Sequence, residues 1–153
     1  MKPQTVNQLM FLIAFLGIGA IGGGGILIIS PIGKLIGIPL SILKHSPFHN
    51  FLIPGIILFT VLGIAPCLLV YSLLKKPASK LFDKLNVFYD MHWSWSFCIY
   101  VAFALIIWIQ AEMMYLQSVS WLHTFYMLYA ILILIVALLP NVRNFYKIKT
   151  IEK

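Results

Sequence analysis

The chain has 153 residues, 61% of them hydrophobic and only 10% charged, which is too little charge to coat a water-exposed surface of this size. Its mean hydropathy of +0.98 comes from long apolar runs rather than short amphipathic stripes, which excludes an ordinary soluble domain. The net charge of +7 needs no nucleic-acid partner, because it collects at the ends of the apolar runs and reads as a membrane-topology signal.

A run of about 20 apolar residues crosses the hydrocarbon layer as a helix. Four such runs predict an all-α fold, a four-helix transmembrane bundle forming a single membrane domain over residues 1–153. The expected helices cover about 6–29, 47–74, 93–116 and 121–139. The first opens after one lysine, Lys2, and its apolar stretch exceeds the length of a signal-peptide core, so it reads as an uncleaved span. Gly19 and Gly23 form a G-x-x-x-G pair, and Ala20 with Gly24 repeats the small-residue spacing. Small residues one turn apart let a second helix backbone approach, so Gly19 and Gly23 are the predicted helix-packing positions, within the chain or across a homo-oligomer.

The connection Ser30 to Asn50 is broken by Pro31, Pro39 and Pro47 yet stays apolar, which predicts an outer loop lying on the membrane or folded over the bundle mouth. Ser46-Pro47 reads as a cap followed by a first-turn proline, placing the start of the second helix at Pro47. Pro66, midway along, predicts a kink. In the next connection Leu81, Leu85 and Phe88 fall on one face, predicting a short amphipathic cytoplasmic helix. Asp90 reads as the cap of the third helix, and Trp93, Trp95 and Trp121 as interfacial anchors. Ser118 or Ser120 caps the fourth helix, which Pro140-Asn141 ends.

Lys and Arg set the orientation. Lys2, Lys75, Lys76, Lys80, Lys84, Arg143, Lys147, Lys149 and Lys153 fall on one side, and only Lys34 and Lys44 on the other. The expectation is an integral protein of the cytoplasmic membrane with both termini cytoplasmic, in contact with membrane lipids, some anionic.

Glu112 is the one acidic residue inside a predicted span, and an ionisable group there is a functional-site candidate. It lies one turn from the helix end, so reaching interfacial water is the structural alternative. If the hairpin turn centres between Gln117 and Ser118, Glu112 and His123 stand at equal depth and can pair. Trp108 and Gln110 complete the ligand-binding candidates, with Gln110 expected to hydrogen-bond across to another helix. His45 and His49 fall on the same side, so a zinc or copper site built with Glu112 and His123 is a second reading. Cys67 and Cys98 show no metal or redox spacing and read as small buried residues; no other cofactor is implied, and no catalytic constellation is evident.

The stretch SPFHNFLIPGIILFTVLG, with the preceding IGIPLSILKH and the later WIQ, SWLHTFY and LLPNVRNFY, resembles a family of uncharacterised small four-helix bacterial integral membrane proteins. The resemblance covers nearly the whole chain and implies topology and a bacterial source, with no substrate. Small multidrug transporters carry a carboxylate in the first helix, which this chain lacks; sterol-isomerase-like bundles are similar in helix number and aromatic content and use acidic and histidine residues inside the bundle, a part that only Glu112 and His123 could play here. The functional expectation is a small bundle that binds a lipid-like ligand or serves as an accessory subunit in a larger membrane complex. The alternatives are the metal- or proton-linked site on Glu112 and the histidines, and a small transporter.

Overall fold

The computed structural model describes residues 3–148. Four helices are long and apolar enough to cross a membrane: α1 (Gln4–Ile29), α2 (Leu52–Lys75), α4 (Trp93–Leu116) and α5 (Trp121–Leu138). Two short helices, α3 (Lys80–Lys84) and α6 (Pro140–Tyr146), lie at the end that carries the termini. Around the bundle α1 packs on α2, α2 on α4, α4 on α5, and α5 back on α1. Large apolar side chains such as Phe11, Ile18, Ile107 and Leu128 point outward, as a lipid-facing surface requires.

The tightest seam is α1 against α2, and it uses different glycines from the expected pair. A Cβ on Gly17 would meet Cys67 Sγ at 2.7 Å, and one on Gly24 would meet the Phe59 backbone nitrogen at 2.6 Å. Gly19 and Gly23 are exposed, and a Cβ there would find only ordinary contacts, Tyr126 Oη at 3.9 Å and Leu58 Cδ2 at 3.6 Å. The close-packing face is therefore Gly17, Ala20 and Gly24, which keeps the Ala20–Gly24 spacing.

The second span starts at Leu52, later than Pro47, because Ser46 is engaged elsewhere. Its hydroxyl accepts from the Phe48 amide and donates to the Leu43 carbonyl, forming a turn, while Asn50 Oδ1 accepts from the Leu52 amide. Pro54 then falls in the first turn, where a missing N–H costs nothing. The irregularity expected at Pro66 lies just before it: Leu58–Ile64 is a π-helical stretch, closed by the Ala65 amide bonding Thr60 O. The Thr60 hydroxyl donates to Ile56 O at 2.7 Å, feeding a second donor into the widened turn.

The connection over residues 30–51 contains two 3₁₀ turns, Lys34–Ile36 and Leu40–Leu43, and is closed by the Phe51 amide bonding Pro31 O at 2.8 Å. Leu43 and Phe51 are buried, whereas Ile32 and Leu35 are exposed. Phe48 packs edge-on against Tyr115, so the loop leans over the end of α4.

The opposite end is knit by its polar groups. Trp93 and Trp95 are buried rather than interfacial, because their indole N–H groups donate to Pro77 O and Ala137 O, each at 2.8 Å. Trp121 is exposed, as an anchor should be. The cap of α4 is His92, whose Nδ1 accepts from the Ser94 amide; Asp90 instead offers its backbone carbonyl to the Ile148 amide. Pro140 ends α5 and also starts α6, its fixed φ suiting the first helical position. Beyond α6 the chain pairs antiparallel with the middle connection at Met91 and Lys147. Lys2, Lys149 and Lys153, counted for orientation, lie outside the described residues.

α3 is capped by Ser79 and rests Phe82 on Trp93 and Phe97, leaving Leu81 and Leu85 outward.

Candidate functional site

The α4–α5 hairpin turns at Gln117, whose φ of 51° lies in the left-handed region, and α5 begins at Trp121 behind Ser120. This brings His123 Nε2 to 3.9 Å from Glu112 Oε2, matching the equal-depth argument. Centred on a hydrocarbon layer of about 30 Å, a helix of 24 residues overhangs by about 3 Å at each end, which puts Glu112 about 3 Å inside the boundary.

The tautomer of His123 follows from its neighbours. Its Nδ1 accepts the Ser120 backbone N–H at 3.1 Å, the side-chain half of a capping box at the start of α5. A nitrogen that accepts carries no proton, so the hydrogen is on Nε2 and faces Glu112. At 3.9 Å that contact is longer than a hydrogen bond, and the imidazole in this arrangement is neutral. Glu112 and His123 are thus neighbours but not a closed ion pair.

Trp108 stands one turn before Glu112 on the same face of α4. Tyr115, three residues after Glu112, meets Phe48 of the loop at a ring-centroid distance of 6.2 Å. The Glu112 side chain remains 32% exposed, against 9% for His123. A carboxylate with spare acceptor capacity, one neutral N–H beside it and aromatic flanks is equipped to receive a cationic donor.

Two expectations do not hold. Gln110 is exposed, and its side chain makes no hydrogen bond among the described residues, because it points away from the helix face that carries Trp108 and Glu112. His45 and His49 are exposed on the loop, and among the described residues no three His, Cys, Asp or Glu side chains gather to hold a metal. The proline-broken loop turns these imidazoles outward instead of over Glu112.

A second feature escaped the sequence reading. A groove of about 540 Å³ runs between the start of α1 and the end of α5, with Gln4, Asn7 and Gln8 on its polar rim. The signal was present as three amides at i, i+3 and i+4 on one face of the first turns, but starting the helix at Val6 obscured it.

The fold and site define a four-helix bundle of membrane-spanning dimensions with one carboxylate, Glu112, at its loop end among the described residues. Compared with protein-family models, curated proteins and solved structures, the chain matches none.

Proposed function

We propose that the protein is a membrane-embedded binder of an amphiphile whose polar head carries a primary ammonium group. The carrying observation is the partly exposed Glu112 carboxylate held 3.9 Å from His123, one turn from the loop end of a helix long enough to span a membrane. An ionisable group at that depth is costly unless something compensates it. An ammonium supplies the opposite charge and N–H donors for charge-assisted hydrogen bonds, while Trp108 and Tyr115 offer aromatic faces. An anionic head meets repulsion from the carboxylate. With the termini cytoplasmic, as the lysine and arginine distribution implies, the ligand comes from the outer leaflet.

Native mass spectrometry of the protein loaded from equal mixtures of phosphatidylethanolamine and phosphatidylglycerol tests the reading. Wild type is expected to be enriched in the ammonium lipid, the molecule held at Glu112 favouring it by about tenfold, which corresponds to roughly 1.4 kcal/mol, and Glu112→Gln to lose that enrichment. An unchanged preference in Glu112→Gln overturns the reading.

A further inference from the structure

The groove between α1 and α5 lies at the other end of the bundle from Glu112 and has a different chemistry. Its rim is three neutral amides, Gln4, Asn7 and Gln8, all exposed and without a side-chain hydrogen bond among the described residues. The rest of its lining is apolar, Phe11 and Leu12 of α1 and Leu132 and Val136 of α5. It lies just beyond the point where the two helices are tied together by the Tyr129 hydroxyl donating to Leu12 O at 2.8 Å.

Depth decides what fills it. α1 is 26 residues, about 39 Å, and overhangs a 30 Å hydrocarbon layer by about 4–5 Å, or three residues, at each end. Gln4 therefore sits at the headgroup level, and Asn7 and Gln8 stand at the hydrocarbon boundary, where water is scarce and an unpaired amide is costly. The ester carbonyls of a glycerolipid occupy that depth and accept hydrogen bonds. An acyl chain continuing inward meets Phe11 and Leu132. A volume near 540 Å³ is within the usual range of small-molecule sites.

We propose that this groove seats one membrane glycerolipid, its two ester carbonyls accepting from Asn7 and Gln8 and one acyl chain lying against Phe11 and Leu132. Recognition is of the ester region, so the site is indifferent to headgroup, unlike the Glu112 site, and the two stand or fall separately.

The experiment loads the delipidated full chain with phosphatidylglycerol, which has no ammonium, in diester and diether forms, and reads retention by native mass spectrometry. One diester lipid is expected to stay bound, with retention of the diether form lower by about tenfold, since a methylene replaces each carbonyl acceptor. Leu132 is exposed, so Leu132→Trp fills the groove without entering the core; it is expected to lose the diester lipid, whereas Glu112→Gln keeps it. Equal retention of diester and diether by wild type, or wild-type retention by Leu132→Trp, overturns the proposal.

Discussion

Gly24 of α1 and Gly55 of α2 press backbone against backbone. A Cβ on Gly24 would stand 2.8 Å from the Gly55 carbonyl oxygen, and one on Gly55 would stand 3.1 Å from that of Gly24. Neither carbonyl can move without disturbing its own helix. Gly24→Ala should therefore destabilise the bundle by about 1–3 kcal/mol, as overpacking does. Gly22, with nothing within 4 Å of an added Cβ, is the control. Gly22→Ala should be neutral or stabilising by up to about 1 kcal/mol through helix propensity. Thermal denaturation in detergent, comparing both variants with wild type, reads the difference; equal melting temperatures would mean that the seam is looser than described.

The His92 cap predicts a pH dependence. Burial pushes its imidazole below the usual histidine value, with nearby Lys76 adding to the effect and Asp83 opposing it. In the window between the lowered folded pKa and the ordinary value of about 6.5, the unfolded chain binds more protons, so stability rises with pH. The contribution is complete above about 6.5 and is lost as pH falls toward the folded pKa, because a protonated Nδ1 cannot accept from the Ser94 amide. His92→Asn keeps a capping oxygen without titrating. Between about pH 7.5 and 5 the wild type should lose more melting temperature than this variant, and parallel losses would refute the assignment.

Lys76 fastens the C-terminal segment. Its Nζ donates to Phe145 O at 2.7 Å and stands 3.7 Å above the Phe145 ring. Lys76→Met keeps the aliphatic stem and removes the charge, with an expected cost of about 1.5–3 kcal/mol for a hydrogen bond to a charged group. Amide exchange at Ile148, which bonds Asp90 O, should quicken at the same time. Unaltered exchange would show that the Met91–Lys147 pairing holds the segment alone.

Orientation is testable by single-cysteine labelling. Cysteines introduced near Lys80 should resist a membrane-impermeant reagent added outside, and those near Lys44 should react. The reverse pattern would place the Glu112 end in the cytoplasm and assign its ligand to the inner leaflet.

The spans were legible because their signal is length and hydropathy, which neighbours do not alter. Two termini, the start of α2 and the cap of α4, fell differently from expectation. Ser46 and Asp90 each have two compatible roles, and partners formed in the fold decide between them: the Leu43 carbonyl three residues back and the Ile148 amide. The glycine face was misread by one residue, Gly19 and Gly23 for Ala20 and Gly24, because small-residue spacing repeats around a glycine-rich helix, and only Gly55 and Gly63 of α2 select one stripe. At the site, the pairing of Glu112 with His123 followed from symmetry about the turn. The histidine tautomer did not, since it rests on one backbone amide.

The π stretch in α2 also governs rotation. In a regular helix Gly55 and Gly63, eight residues apart, point about 80° away from each other. A widened turn absorbs one extra residue, removing roughly 100° of rotation and bringing the two to within about 20° of one line. Both then meet α1, at Leu27 and Ile21 respectively. Deleting one residue from Leu58–Ile64 would leave a tidier helix with an ordinary ladder, yet swing the Gly55 half off its partner. Chain length at this point is itself a specificity element: α2 is keyed to α1 by a surplus residue as much as by any side chain.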